Sequence, residues 1–302
     1  MKTRPLVQVV LVLCCVAATA GSTAAQTGPP LCGTGLHAGE DLGPVWFPEG
    51  DLFCPLLGDP KAARSFASLL RGELPTISDA DGDATIGAVG LADRLSLFRL
   101  GGPRSGDGLQ LSIFGAVFAQ FDLSTESFDL VNADYIIGIP LSMRRAGFSS
   151  RLTIFHQSSH LGDEYLLRSD LERENLSFES LELILSQELG SLRIYGGGEY
   201  LFNREPDTLE SLLAHTGAEV RFGPAQGIRF VAAADLKSSE QQEWDPAVSA
   251  RAGVELAHWR HPDHPPRLFA ILAEFYDGPS PYGQFFQEQI RYFGVGLHLS
   301  LR

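Results

Sequence analysis

Gln289-Ile-Arg-Tyr-Phe-Gly-Val-Gly-Leu-His-Leu-Ser-Leu-Arg302 is the last stretch of the chain, and its reading decides the fold. Phe293, Val295, Leu297, Leu299 and Leu301 fall on one face of an extended strand. Tyr292, Gly294, Gly296, His298 and Ser300 fall on the other. One face is apolar and the other is small or polar, which suits a wall between lipid and a wet interior. The expectation is an all-β, transmembrane, antiparallel up-and-down barrel that this strand closes. In such barrels the final residue is commonly aromatic, and here it is Arg302.

Working back from that strand, the same alternation recurs. Strand-length runs lie at 66–74, 86–100, 109–122, 133–145, 147–158, 176–189, 191–203, 212–223, 227–238, 247–257 and 267–276. With 289–301 they make about 12 strands, an even number as bacterial barrels require. In 176–189, Leu181, Leu183, Leu185 and Leu189 share one face, while Glu182, Ser186 and Glu188 share the other. Short turns at Ala146-Gly147, Gly190 and Pro224–Gln226 alternate with longer polar connections near 159–175, 204–211, 239–246 and 277–288. Short turns on one rim and long loops on the other are the asymmetry of an outer-membrane barrel, with the short turns in the periplasm. The connections 101–108 and 258–266 fit less well, being expected on the periplasmic rim without being short.

The 302 residues carry a net charge of −14 and are 44% hydrophobic. Lys2 and Arg4, the apolar run Leu6 to Ala20 and small residues through Ala25 read as a signal peptide, 1–25, cut before Gln26. No later run approaches the length of a spanning helix, so a membrane location means strands. The negative charge argues against nucleic acid as a partner. Expected partners are outer-membrane lipid and the barrel-assembly machinery, in the cell outer membrane. Residues 26–65, rich in Pro and Gly, read as a periplasmic segment ahead of the barrel at 66–302. Cys32 and Cys54 lie in that segment and either pair or stay free.

Several stretches resemble an uncharacterised family of proteobacterial envelope proteins, domain of unknown function 1207. They are Phe53-Cys-Pro-Leu-Leu-Gly-Asp-Pro60, Asn132-Ala-Asp-Tyr135, Ile139-Pro-Leu-Ser142, Phe155-His-Gln-Ser-Ser-His-Leu-Gly-Asp-Glu-Tyr165, Tyr195-Gly-Gly-Gly198, Arg204-Glu-Pro206, Asp235-Leu-Lys237 and Gly278-Pro-Ser-Pro-Tyr-Gly-Gln-Phe285. The resemblance implies a barrel-like outer-membrane protein and brings no activity, cofactor or catalytic residue with it.

Chemistry is most concentrated at His156 to Glu164. Alternation puts His156 and Ser158 on the same face as Leu152 and Ile154, the lipid face, near the long-loop rim. An imidazole there could deprotonate a hydroxyl for attack on a lipid ester. The pair resembles the His-x-Ser arrangement of outer-membrane phospholipase A and lipid A 3-O-deacylase. That likeness implies Ser158 as nucleophile and His156 as base, with Asp163 or Glu164 orienting the ring. Those families place Asn after the serine, where this chain has Ser159. Two other readings stand beside it: polar side chains at head-group depth with no chemistry, and a metal held by His156, His160 and Asp163 or Glu164. Loop candidates for ligand contact are Arg204, Asp277, Gln284 and Phe285; the loop from Asp277 to Phe286 either folds inward as a constriction, presents aromatics outward to a ligand, or is an ordinary turn-rich loop.

Inward charges from Glu182, Glu188, Arg193, Glu199, Glu219, Arg221, Arg229, Asp235, Lys237, Arg251, Glu255 and Glu274 predict a lumen laced with ion pairs. The leading expectation is therefore a narrow or plugged channel or a structural barrel. The alternative is a lipid-modifying esterase.

Overall fold

In a computed structural model of the chain, the described residues run from 43 to 300, apart from 76, 78–82, 103–105, 170–174, 225–226 and 259–266. The expected signal peptide, Cys32 and Arg302 lie outside them.

The strands are β1 (Pro44–Trp46), β2 (Ser65–Glu73), β3 (Ala84–Gly101), β4 (Gly108–Asp122), β5 (Leu130–Arg145), β6 (Phe148–Leu161), β7 (Leu176–Leu189), β8 (Leu192–Glu205), β9 (Leu212–Phe222), β10 (Gly227–Ser239), β11 (Pro246–His258), β12 (Arg267–Pro279) and β13 (Gln289–Ser300). One short helix, α1 (Asp163–Arg168), follows β6. All twelve strands expected from alternation are present, each end within three residues of its expected place.

Each of β2 to β13 pairs antiparallel with the next. The wall closes where β13 meets β2, from Leu299↔Ser65 to Arg291↔Glu73. The final strand thus closes the barrel as its pattern predicts, with Phe293, Val295, Leu297 and Leu299 outside and Tyr292 and His298 buried inside. The strand that alternation missed is β1. It is three residues long, too short to show a period, and extends the wall beside β3 through Val45↔Arg99 and Trp46↔Phe98. There β3 runs on beyond its pairing with β2, which ends at Gly90.

Phase alone sorts the side chains. On β7, Leu181, Leu183 and Leu185 are exposed outward, while Ser180, Ile184, Ser186 and Glu188 are buried inward. The hairpin between β5 and β6 turns on Ala146 (φ 52°) and Gly147 (φ 84°). Two successive positive φ values give the primed turn whose twist matches that of the strands. No helix among the described residues is long and apolar enough to cross a membrane.

The lumen is filled. Arg144 forks onto Glu188 at 3.0 and 2.6 Å. Glu219 is held by Arg193 and Arg221, each at 2.7 Å. Arg229 holds Glu255, and Arg251 holds Glu274 at 2.9 Å. Each pair satisfies charges that would be costly to bury singly.

Part of the segment expected to precede the barrel runs inside it. Leu52, Phe53, Cys54, Leu56 and Leu57 are at most 1% exposed. Their backbone, like that of other irregular segments, has carbonyls that need donors, and inward side chains of the wall supply them. Arg99 donates to Glu49 O and Gly50 O, and Arg193 to Cys54 O. Arg251 donates to Leu57 O and Asp59 O, and Ser249 to Gly58 O. The guanidiniums of Arg151 and Arg193 each lie 4.8 Å from the Phe53 ring centroid. Asp59 pairs with Lys237 at 2.8 Å, and Lys61 with Asp134. Cys54 is disulfide-bonded, and its partner lies outside the described residues.

Candidate functional site on the outer wall

The register of β5, β6 and β7 places His156 between Ile137 and Glu179, and Ser158 between Tyr135 and Ser177. Odd positions of β6 point inward, with Gln157 and Ser159 buried; His156 and Ser158 point outward beside exposed Leu152 and Ile154. The outward placement read from alternation therefore holds.

His156 Nδ1 lies 3.0 Å from Glu179 Oε1. The two side chains are 43% and 34% exposed, so the pair sits on the outer surface and neither group is sealed away. The carboxylate that meets the His156 ring is thus Glu179 of the neighbouring strand. Asp163 and Glu164, the residues expected in that role, are exposed in the first turn of α1. Spacing within the sequence does not pair Glu179 with His156, because the contact depends on the cross-strand register of β6 and β7. Outward phase beside a polar partner was the one available signal.

Ser158 is two residues from His156, a Cα spacing of about 6.6 Å in a strand. No hydrogen bond joins their side chains. His160, the third member expected of a metal set, packs edge-on against Tyr135 at 5.8 Å. Among the described residues, no group of three or more His, Cys, Asp or Glu side chains is gathered to hold a metal ion.

The inward half of the same block does different work. Ser159 donates to Asp134 at 2.5 Å and to Asn132 at 3.1 Å. Asp134 also accepts from Lys61 and from the Gly283 N–H. This draws the connection between β12 and β13 inward: Gln284 donates to Ser159 O at 2.8 Å, and buried Phe285 packs edge-on against Tyr165. Burial pushes the Tyr165 phenol up to about 12, with nearby Glu288 adding to it. Of the three readings of this loop, the inward fold is the observed one for Gln284 and Phe285. Arg204 ties its own loop to Leu209 O and Ser211 Oγ, and Asp277 pairs with Arg291 at 3.0 Å. Neither meets the His156 cluster.

A family model described as "Protein of unknown function (DUF1207)" matches residues 31–301. The chain belongs to that family. No curated protein matches it. Among solved structures, it is similar to outer membrane phospholipase A from Escherichia coli, with TM-score 0.53 and 15% identity over 78% of this chain and 89% of that one. It is likewise similar to the outer membrane phospholipase dimer of Salmonella typhi with bound calcium, with TM-score 0.52 and 15% identity over 78% and 91%. At that identity the likeness is one of fold: a closed barrel resembling outer-membrane proteins.

Proposed function

We propose that this member of the family is an outer-membrane barrel with a plugged lumen that hydrolyses lipid acyl esters on its outer wall. The observation that carries the reading is the His156–Glu179 hydrogen bond beside Ser158, all three on the lipid-side face. A carboxylate and a histidine with no structural task inside the barrel are costly on an apolar wall, and a nucleophilic hydroxyl two residues away gives them a use. Glu179 holds Nδ1 protonated, which leaves Nε2 to take the Ser158 proton as Oγ attacks the ester carbonyl. The alcohol leaves with that proton, and water then releases the fatty acid from Ser158. The ring must turn toward Ser158 for this, and such hydrogen bonds are often loose before substrate arrives. The phospholipase name of the structural relatives supports phospholipid as the ester class.

The test compares purified wild-type, Ser158→Ala and Glu179→Gln barrels for fatty-acid release from phospholipid and lipopolysaccharide. Release by the wild type, lost in Ser158→Ala, supports the reading. Equal background release from all three overturns it, leaving polar groups at head-group depth. The lumen's plug and ion pairs favour a second, compatible reading as a structural barrel, for which the wild-type protein should conduct no ions in planar bilayers.

A further inference from the structure

We propose that the lumen holds a second site, separate from the outer-wall cluster, that takes a small organic cation with an apolar body. A cavity of about 270 Å³ lies above the plug. It is lined by exposed Glu210 and Asp245 from the long connections, so it opens at that rim.

The floor of the cavity is a row of side chains at one level of the wall. Thr153 of β6 is paired with Glu182 of β7, and Glu182 with Glu199 of β8. Adjacent strands lie about 4.8 Å apart, so the two carboxylates stand side by side. Glu182 is matched by Arg151 at 2.8 Å. Among the described residues, Glu199 accepts only the Ser180 hydroxyl, at 2.7 Å, and has no ion-pair partner. The lysines lining the cavity are committed elsewhere, Lys237 to Asp59 and Lys61 to Asp134. One carboxyl in the row is therefore left without a cation partner among the described residues.

Thr153 gives an independent indication. Its side chain is 3% exposed and lines the cavity, and its hydroxyl has no hydrogen-bond partner. A buried hydroxyl without a partner is costly; other wall residues, Gln120 and Arg151 among them, also carry a buried polar atom without one, but Thr153 is the one in the row beside Glu182 and Glu199. An ammonium seated on the row could donate to Glu199 and to Thr153 Oγ1. Phe155 and Phe178, edge-on at 6.3 Å, line the same cavity and suit the apolar body and the cation together. An organic amine fits better than a bare metal ion, since no metal-ligating group of three is gathered among the described residues.

The experiment measures binding of 2-phenylethylamine to the full-length barrel in non-ionic detergent by isothermal titration, with 2-phenylethanol and 3-phenylpropionate as controls. Saturable binding of the amine, at least tenfold tighter than either control and at least tenfold weaker in Glu199→Gln, is the expected result. Thr153→Val is a second variant, expected to weaken amine binding while keeping the heat-modifiable mobility of a folded barrel. No saturable amine binding overturns the proposal, as does equal binding of the carboxylate or an undiminished affinity in both variants. Ester hydrolysis by Ser158 does not enter the readout, so the two proposals stand or fall separately.

Discussion

Arg193→Met should release the plug without opening the wall. The Arg193 guanidinium donates twice to the Cys54 carbonyl, at 3.2 and 3.1 Å, and lies 4.8 Å from the Phe53 ring. Its other bonds are to the wall itself, to Glu219 and Ser186, each at 2.7 Å. Methionine keeps much of the aliphatic stem and removes the charge. On the plug side the loss is a charged hydrogen bond, worth about 1.5–3 kcal/mol, and a desolvated cation–π contact, worth about 0.5–2 kcal/mol. On the wall side Glu219 keeps Arg221 at 2.7 Å, so no bare carboxylate is left behind. The combined loss, about 2–5 kcal/mol, shifts plug release by roughly 30- to 4,000-fold. Amide hydrogen exchange of Leu52, Phe53, Leu56 and Leu57 should accelerate within that range, while β7 and β8 hold their protection. Unchanged exchange at those four amides, or a loss spread evenly through the wall, would refute the assignment of Arg193 as the plug's anchor.

Three further perturbations are informative. His156→Ala should lower fatty-acid release by about 10²–10⁴-fold, the usual contribution of a general base, and Glu179→Gln should lower it less; the readout is initial rate on mixed micelles. Gly217→Ala would put a Cβ 2.3 Å from the Tyr195 hydroxyl and 2.6 Å from Ala234 O; it should cost about 1–3 kcal/mol, measured as a lower urea midpoint. Burial alone would raise the Asp59 carboxyl, but the Lys237 ammonium and His215 outweigh it and hold the group well below the usual carboxylate range. A depressed folded value means stability that is full above about pH 4 and lost as pH falls toward the folded value. The wild-type urea midpoint should therefore drop between pH 6 and pH 3 by more than that of Asp59→Asn.

The wall was legible because strand phase is a local property. Leu181, Leu183 and Leu185 announce an apolar outer face without reference to any other strand, and Glu188 or Arg193 on the opposite phase announces a charged interior. Contacts across strands were not legible. Glu179 meets His156 through the register of β6 against β7, which no spacing within either strand encodes. Asp163 and Glu164 were nearer in sequence, but α1 carries them to the surface. The plug was invisible for a different reason. Leu52 to Pro60 has no period because it forms no strand, and its burial is specified by donors far along the chain, Arg193, Ser249 and Arg251. Pro- and Gly-rich composition describes such a segment's backbone and says nothing about what surrounds it.

The plug precedes β2 in sequence, and the wall is sealed only when β13 reaches β2. The order of the chain therefore bears on assembly. Residues 49–61 stand immediately before β2, so they can lie within the curling sheet before its two ends meet. The carbonyls of the segment and the guanidiniums of β8 and β11 then act as a template around which the sheet can curve. A plug of this kind is a mandrel as well as a stopper.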